Sequence, residues 1–418
     1  MKRRTFLKGM AAAGATSLLP ASALLPSCSG PASSAWDFDE VLDRSGTWSI
    51  KQGRAKEGQL AMWIADMDFR TDPYVAAALR ERLDRDVLGY TSTPPELYQA
   101  VASWEKQQHG YAVDPEWVGY APGVITALNQ AYLAFTEPGD KIVVQSPVYD
   151  HFRLYIERLG RVAVENSLLF EEGRYRMDLE GLERIFAGGG VRALVLCNPH
   201  NPIGVLWPQE ELAALASLCE RYGVLVFSDE IHGDLALYGR RHTPFTSVSE
   251  AAARIGLVFA APTKAFNLAG LTGTAYCIIP SASLRTRYRD WLRNAKLDEA
   301  PIFSLVAILA AYRADTRWLD SLKRYLEGNI DRVVRFFEQN QLGIMAIRPE
   351  ASFLVWLDCR ALGLPQDRLM QFFADEAGII LNNGASYGTG GEGFVRLNIG
   401  CPASVVEEAL RRIGRGLK

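Results

Sequence analysis

The stretch Val224-Leu225-Val226-Phe227-Ser228-Asp229-Glu230-Ile231-His232 decides the fold class. The apolar run 224–228 reads as a strand buried on both faces, and an acidic pair follows at its end. In open α/β sheets ligands bind outside the carboxyl ends of the strands, which is where Asp229 falls. An acid at a strand end is common, so the neighbouring segments must add to it. Before it, 210–222 reads as a helix stopped by Gly223, and Val191–Cys197 as another apolar strand. After it come two more strand-like runs, 257–261 and 274–279. Further upstream Lys141–Val144 is a short apolar strand, and Pro73–Leu83, Pro95–His109 and Val124–Phe135 have helical patterns. Pro at the first turn and Gly110 after the second of these helices are terminal signals. Apolar strands alternating with helices predict a mostly parallel sheet covered on both faces. Beyond it, 300–314 and 318–340 read as long helices. Short strands at 353–357 and 395–399 then suggest a smaller α+β unit.

Composition excludes several classes. The chain has 418 residues, 48% of them hydrophobic, with 45 basic and 48 acidic side chains. That apolar fraction excludes wholesale disorder, and the near-neutral balance gives no footprint for nucleic acid. Six cysteines are too few for a disulfide scaffold, and no C-x-x-C occurs. With five histidines and no H-E-x-x-H, no metal site is expected.

The N-terminus reads Met1-Lys2-Arg3-Arg4-Thr5-Phe6-Leu7-Lys8, followed by an uncharged run from Gly9 to Leu25. A basic start before a short apolar stretch is an export signal. The run is weaker and shorter than the roughly 20 strongly apolar residues of a spanning helix. Paired arginines before Phe-Leu-Lys resemble a twin-arginine signal, which exports folded proteins. Leu25-Pro26-Ser27-Cys28 resembles a lipoprotein cleavage box, so a lipid anchor at Cys28 is expected, and Ser29 to Ser34 reads as a flexible tether.

Three more pieces carry chemistry. Asn198-Pro199-His200-Asn201-Pro202-Ile203-Gly204 follows the Val191–Cys197 strand, and its prolines force an irregular extended loop. In Ala261-Pro262-Thr263-Lys264-Ala265-Phe266-Asn267-Leu268-Ala269-Gly270-Leu271, a lysine stands among small and apolar residues. Desolvation there lowers an amine's pKa and makes it reactive toward carbonyls. Pro122-Gly123-Val124-Ile125 opens a helix whose first amides could meet a phosphate.

Taken in this order, the pieces resemble the fold-type I pyridoxal-phosphate enzymes of the class I/II aminotransferase superfamily. The resemblance runs from about Phe38 to the C-terminus. F-D-E-V-L-D-R-S-G-T at 38–47, M-W-I-A-D-M-D-F at 62–69 and G-Y-T at 89–91 are similar to the cystathionine β-lyase (C–S lyase) branch. It implies an α/β fold of type I: a large domain with a mostly parallel, seven-stranded type of sheet, and a smaller α+β domain. The expected organisation is a signal over 1–27, a linker over 28–36 and an N-terminal segment over 37–72 that packs with the small domain. The large cofactor domain then covers 73–314 and the small domain 315–418.

The resemblance also implies roles. Lys264 would carry pyridoxal 5'-phosphate as a Schiff base. Asp229 would hold the pyridine nitrogen, which keeps the ring an electron sink. Asn201 would bond the phenolic oxygen, near which His232 stands where aminotransferases usually carry tyrosine. Tyr149 would stack on the ring. Val124 and Ile125 would give amides to the phosphate, with Thr263 adding a hydroxyl. Tyr90 would reach the cofactor phosphate of a neighbouring subunit, implying a homodimer with shared active sites. Arg396 would pair with the substrate α-carboxylate. The chain departs from aminotransferases at Thr272, Ala261 and Val205, where those enzymes often place an arginine, a hydroxyl residue and an arginine. The expected activity is C–S β-lysis of L-cystathionine or related cysteine conjugates to a thiol, pyruvate and ammonia. An aminotransferase would share every cofactor residue, and a regulatory binding protein on the same fold is the alternative outside catalysis. The expected location is outside the cytoplasm, periplasmic or lipid-anchored.

Overall fold

The strand that ends at Asp229 lies in the middle of a seven-stranded sheet. The structure, a computed structural model, describes residues 36–171 and 173–417. The expected signal, Cys28 and all of the tether before Trp36 lie outside the described residues. In chain order the strands are β1 Val118–Ala121, β2 Lys141–Val144, β3 Val162–Glu165, β4 Val191–Cys197, β5 Leu225–Asp229, β6 Gly256–Ala260 and β7 Ala275–Ile278. Their spatial order is β1-β7-β6-β5-β4-β2-β3. β7 is antiparallel to both β1 and β6, and every other neighbouring pair is parallel, so the sheet is mostly parallel, as the apolar runs predict. One face of the sheet buries Ile142, Val144, Val195, Phe227, Leu257 and Phe259. Val124–Phe135 and Ala282–Asn294 cover that face through Leu128, Tyr132, Phe135, Tyr288 and Leu292.

Several helix boundaries match their local signals. Pro73–Leu83 has Asp72 as its N-cap, with Pro73 in the first turn. Pro95–His109 ends on Gly110 at φ 72°, the left-handed cap that glycine adopts without a Cβ clash. The helix expected at 210–222 starts one residue earlier, at Gln209, directly after Pro208. Strand β1, Val-Gly-Tyr-Ala, escapes a periodicity reading because Gly119 breaks its apolar run. In β3 every residue is exposed or half-buried at the edge of the sheet, so no apolar run marks it.

Residues Phe38–Lys418 form one compact unit. It includes a second sheet, of β8 Met345–Ile347, β9 Leu354–Asp358, β10 Asn382–Asn383 and β11 Phe394–Asn398, in the antiparallel order β8-β9-β11-β10. The helix Arg317–Asn340 buries Leu322, Leu326, Ile330 and Val333. Near the start of the chain Leu60–Ala61 pairs in parallel with Ile379–Ile380, so early sequence is woven into the C-terminal third. Among the described residues no helix is long and apolar enough to cross a membrane.

Candidate active site

The carboxyl ends of the central strands β4, β5 and β6 bring Asn201, Asp229 and Lys264 together at one end of the sheet. Register sets this up. Cys197 is level with Asp229 across β4 and β5, and Asp229 with Phe259 across β5 and β6. The loops leaving those positions therefore start side by side. Asn198 donates its amide to Asp229 O at 2.9 Å, which docks the Asn198–Gly204 loop against β5. Within that loop Gly204 has φ 71°, and a Cβ there would stand 2.3 Å from Pro349 Cβ, so the turn requires glycine.

Asp229 is 5% exposed, and its carboxylate accepts one backbone bond, from Ile231 N at 3.1 Å. Burial pushes its carboxyl up to about 7, opposed by that bond and by the Lys264 charge. Among the described residues no ion pair satisfies it. A buried carboxylate in this condition calls for a cationic partner. Arg396, on β11, crosses from the second sheet to meet the loop. Its Nη1 donates to Asn201 Oδ1 at 2.9 Å and its Nη2 to Trp63 O at 2.7 Å, while its buried Nε has no partner. The guanidinium also lies 5.4 Å from the centre of the Tyr387 ring.

Lys264 donates its Nζ to Ala65 O at 2.6 Å. Burial and then the Arg396 charge hold its amine down at about 8, while Asp66 and Asp229 pull it upward. His232 is buried, its Nδ1 is unpaired, and burial together with the Lys264 and Arg396 charges keeps its ring well below the usual imidazole range. It is therefore a neutral imidazole at physiological pH.

The remaining expected residues surround this group. Val124 and Ile125 begin their helix directly after Gly123, at φ 123°, and no side chain caps that N-terminus. Tyr149 precedes the helix Asp150–Arg158 and donates its amide to Asn201 O at 3.1 Å. Its ring stacks on His151 at 4.7 Å, and burial pushes its hydroxyl up, so the phenol stays neutral. Thr263 is half-buried beside Lys264 and accepts the Leu268 amide on its carbonyl. Tyr90 stands apart from the group, fully exposed in a stretch without helix or strand.

Sequence reasoning missed the segment that faces these side chains. Carbonyls of residues 63–66 accept bonds from Arg396, Lys264 and Asn398, the last donating its Nδ2 to Ile64 O at 2.6 Å and Asp66 O at 2.7 Å. Asn267 grips the next turn through Met67 N, Met67 O and Phe69 O. The carboxylates of Asp66 and Asp68 are clasped by Arg44 and the buried Lys51. Backbone acceptors leave no residue-type signal. The one legible trace was the clustering of Asn267 and the 62–69 stretch in the motifs quoted above.

These features fit a phosphorylated pyridine aldehyde. Asp229 lacks a cation, Lys264 is an amine lowered toward neutrality, and the Gly123 helix start is uncapped by any side chain. The Lys264 pKa has a direct consequence. An amine with pKa about 8 is roughly one-tenth unprotonated at pH 7, so it can attack an aldehyde there. In cofactor-free protein the rate of reaction with pyridoxal phosphate should rise with pH to a plateau, with a midpoint near 8. Stopped-flow absorbance measures it, and a midpoint at or above about 10, the value of an exposed lysine, contradicts the assignment.

The profile of the aminotransferase class I and II family matches residues 59–413, and that of twin-arginine translocation signals matches residues 1–20. The signal supports export. The chain is 43% identical to cystathionine β-lyase PatB of Bacillus subtilis over 386 residues, covering 91% of this chain and 100% of the relative. It is 34% identical to protein MalY of Escherichia coli, covering 90% and 97%. Its fold matches the crystal structure of cystalysin from Treponema denticola, which contains pyridoxal 5'-phosphate, with a TM-score of 0.87 and 32% identity over 91% of this chain and 98% of that one. The chain thus belongs to the class I and II aminotransferase family, fold type I, in its cystathionine β-lyase branch.

Proposed function

We propose that the chain is a pyridoxal-phosphate-dependent C–S β-lyase that converts L-cystathionine or related cysteine S-conjugates to a thiol, pyruvate and ammonia. The observation that carries this reading is the meeting of Lys264, Asp229, Asn201 and Arg396 at one end of the sheet, in a chain similar along its length to cystathionine β-lyases. Lys264 would hold the cofactor and Asp229 its pyridine nitrogen. Asn201 would bond the ring oxygen beside neutral His232, and Tyr149 would cover the ring. Val124, Ile125 and Thr263 would face the phosphate. Bound pyridoxal phosphate supplies the electron sink that allows the α-C–H and then the β-C–S bond to break heterolytically.

The chain's own residues do the rest. Arg396 would bind the substrate α-carboxylate through its fork, and the anion would take up the unpaired Nε. That contact fixes the substrate Cα relative to Lys264. Near neutrality the Lys264 amine exists in both protonation states, so it can take the α-proton and return one. His232 adds no charge to compete with the carboxylate or the lysine.

Two further parts of the reading concern assembly and place. Tyr90 is exposed with Val87 and Leu88, a surface that a second copy of the chain would cover while Tyr90 reaches that copy's cofactor phosphate. Beyond export, the Ser27-Cys28 box supports a lipid anchor at Cys28. One acyl chain anchors only marginally, so stable attachment needs more than one.

The purified protein with pyridoxal phosphate should release pyruvate and thiol in equal amounts from L-cystathionine. Arg396→Gln should raise KM by about a hundredfold, as loss of a charge-assisted pair at a buried site does. Amino transfer to an α-keto acid without pyruvate release would falsify the lyase reading and favour an aminotransferase. Binding of a partner protein with no turnover on any amino acid would favour the regulatory reading.

Mixed dimers of Tyr90→Ala and Lys264→Ala subunits should recover activity that neither variant shows alone. An active monomer by light scattering contradicts the shared site. Mass spectrometry of the membrane fraction should find a lipidated N-terminus at Cys28. An exported chain cut beyond Cys28 removes the anchor, and an intact Met1 in the cytosol removes export as well.

A further inference from the structure

Glu230 follows Asp229 directly and plays no part in the chemistry derived above. Two consecutive residues leaving a strand point to opposite faces, so the two carboxylates lie back to back. Glu230 is 5% exposed and satisfied on its own side. Its Oε1 accepts from Ser228 Oγ at 2.7 Å and Phe245 N at 2.8 Å, with Asn198 Nδ2 at 3.5 Å. His242 Nε2 lies 2.8 Å from its Oε2. The backbone of Glu230 is engaged as well. Its amide donates to Phe259 O on β6, and its carbonyl accepts from Gly233 N, closing the turn that carries His232.

We propose that Glu230 is a positioning residue for the cofactor site. It ties together the three segments that carry Asp229, His232 and Asn201, and it places a second carboxylate directly behind that of Asp229. The link to Asn201 runs through Asn198, which starts that loop and bonds Asp229 O, Thr243 O and Glu230. The charge acts through the protein over one residue's distance. It opposes ionisation of Asp229 in the empty site and favours any cation held against Asp229.

The groups behind Glu230 enclose a space of only about 10 Å³, room for one water at most. His242 faces it from the loop before Phe245. His109 and Glu105 face it from the helix Pro95–His109, Asp234 from the turn after His232, and Tyr276 from β7. Burial, and to a lesser degree Glu230, push the Tyr111 hydroxyl up, and that hydroxyl donates to Thr246 Oγ1 at 3.1 Å. Asp234 is held by Trp104 Nε1 at 2.8 Å and His109 Nε2 at 3.0 Å, and Glu105 by Tyr276 Oη at 2.7 Å. Glu230 is thus partnered chiefly by His242 and by neutral donors, and it is the acid of this group that adjoins the cofactor site.

The proposal rests on the cofactor site described above and not on the sulfur chemistry. Its test therefore uses the bound cofactor's visible absorbance, which reads the same way in a lyase or a transaminase. Glu230→Gln keeps shape and removes the charge. In the holoenzyme the pH midpoint of the visible band should fall by about half a unit, because a nearby cation loses an anion. Its kcat should drop about tenfold while KM stays within about threefold. Glu230→Asp keeps the charge but cannot span to His242 and Phe245. It should lower kcat by a similar factor and leave the midpoint within about 0.2 units of the parent. A Glu230→Gln enzyme with the parental midpoint overturns the proposal, as does a Glu230→Asp enzyme whose midpoint moves equally far. Should Glu230→Gln fail to fold, parental kcat in Glu230→Asp overturns it.

Discussion

A carboxylate buried at the end of the central strand, with one backbone hydrogen bond and no cation in contact, is the constraint around which this molecule is arranged. Removing a charge from water costs several kcal/mol unless a partner replaces the lost hydration. The fold does not supply that partner to Asp229 from its own side chains, and the carboxyl rises to about 7. The surrounding charges follow the same economy. Lys264 is lowered by burial and by Arg396, His232 is kept neutral, and Glu230 on the reverse face is fully hydrogen-bonded. A cationic pyridine ring against Asp229 would complete this arrangement electrostatically, and an aldehyde near Lys264 would complete it chemically.

The second constraint is geometric. Lys264 leaves the large sheet, whereas Arg396 and Asn398 belong to the small one, and all three donate to carbonyls of residues 63–66. The segment of residues 63–68 is held by its carbonyls on one side and by its two aspartates on the other. Lys51 and Arg44 therefore anchor a backbone that three site side chains share. A buried lysine 1% exposed between two carboxylates is costly to unpair, so this clasp resists loosening. Arg396 and Lys264 thus both donate to carbonyls of the same short backbone segment.

Much of this was legible in the sequence. The run 224–228 gave away a buried strand because parallel strands covered on both faces are continuously apolar. Asp229, Asn201 and Lys264 were readable because each follows such a strand, and strand ends are where open sheets bind ligands. Arg396 had no local signal. It sits inside an antiparallel strand of a different sheet, and only the resemblance pointed to it. Val118–Ala121 was hidden because Gly119 breaks its apolar run, and the edge strand Val162–Glu165 because it is exposed or half-buried throughout and ends on Glu165. The carbonyls of 63–66 were hidden in principle, because every residue carries one. The role of Glu230 was equally invisible. In the sequence it is simply the letter after Asp229, and only the side-chain partners on the reverse face distinguish the two acids.

The central claim is that Lys264 is the cofactor-bearing amine of this site. Borohydride reduction of the holoenzyme followed by proteolysis and peptide mass spectrometry tests it most directly. The account predicts one pyridoxyl group per chain, on the peptide containing Ala261-Pro262-Thr263-Lys264. A pyridoxyl group on any other lysine, with Lys264 unmodified, would contradict it.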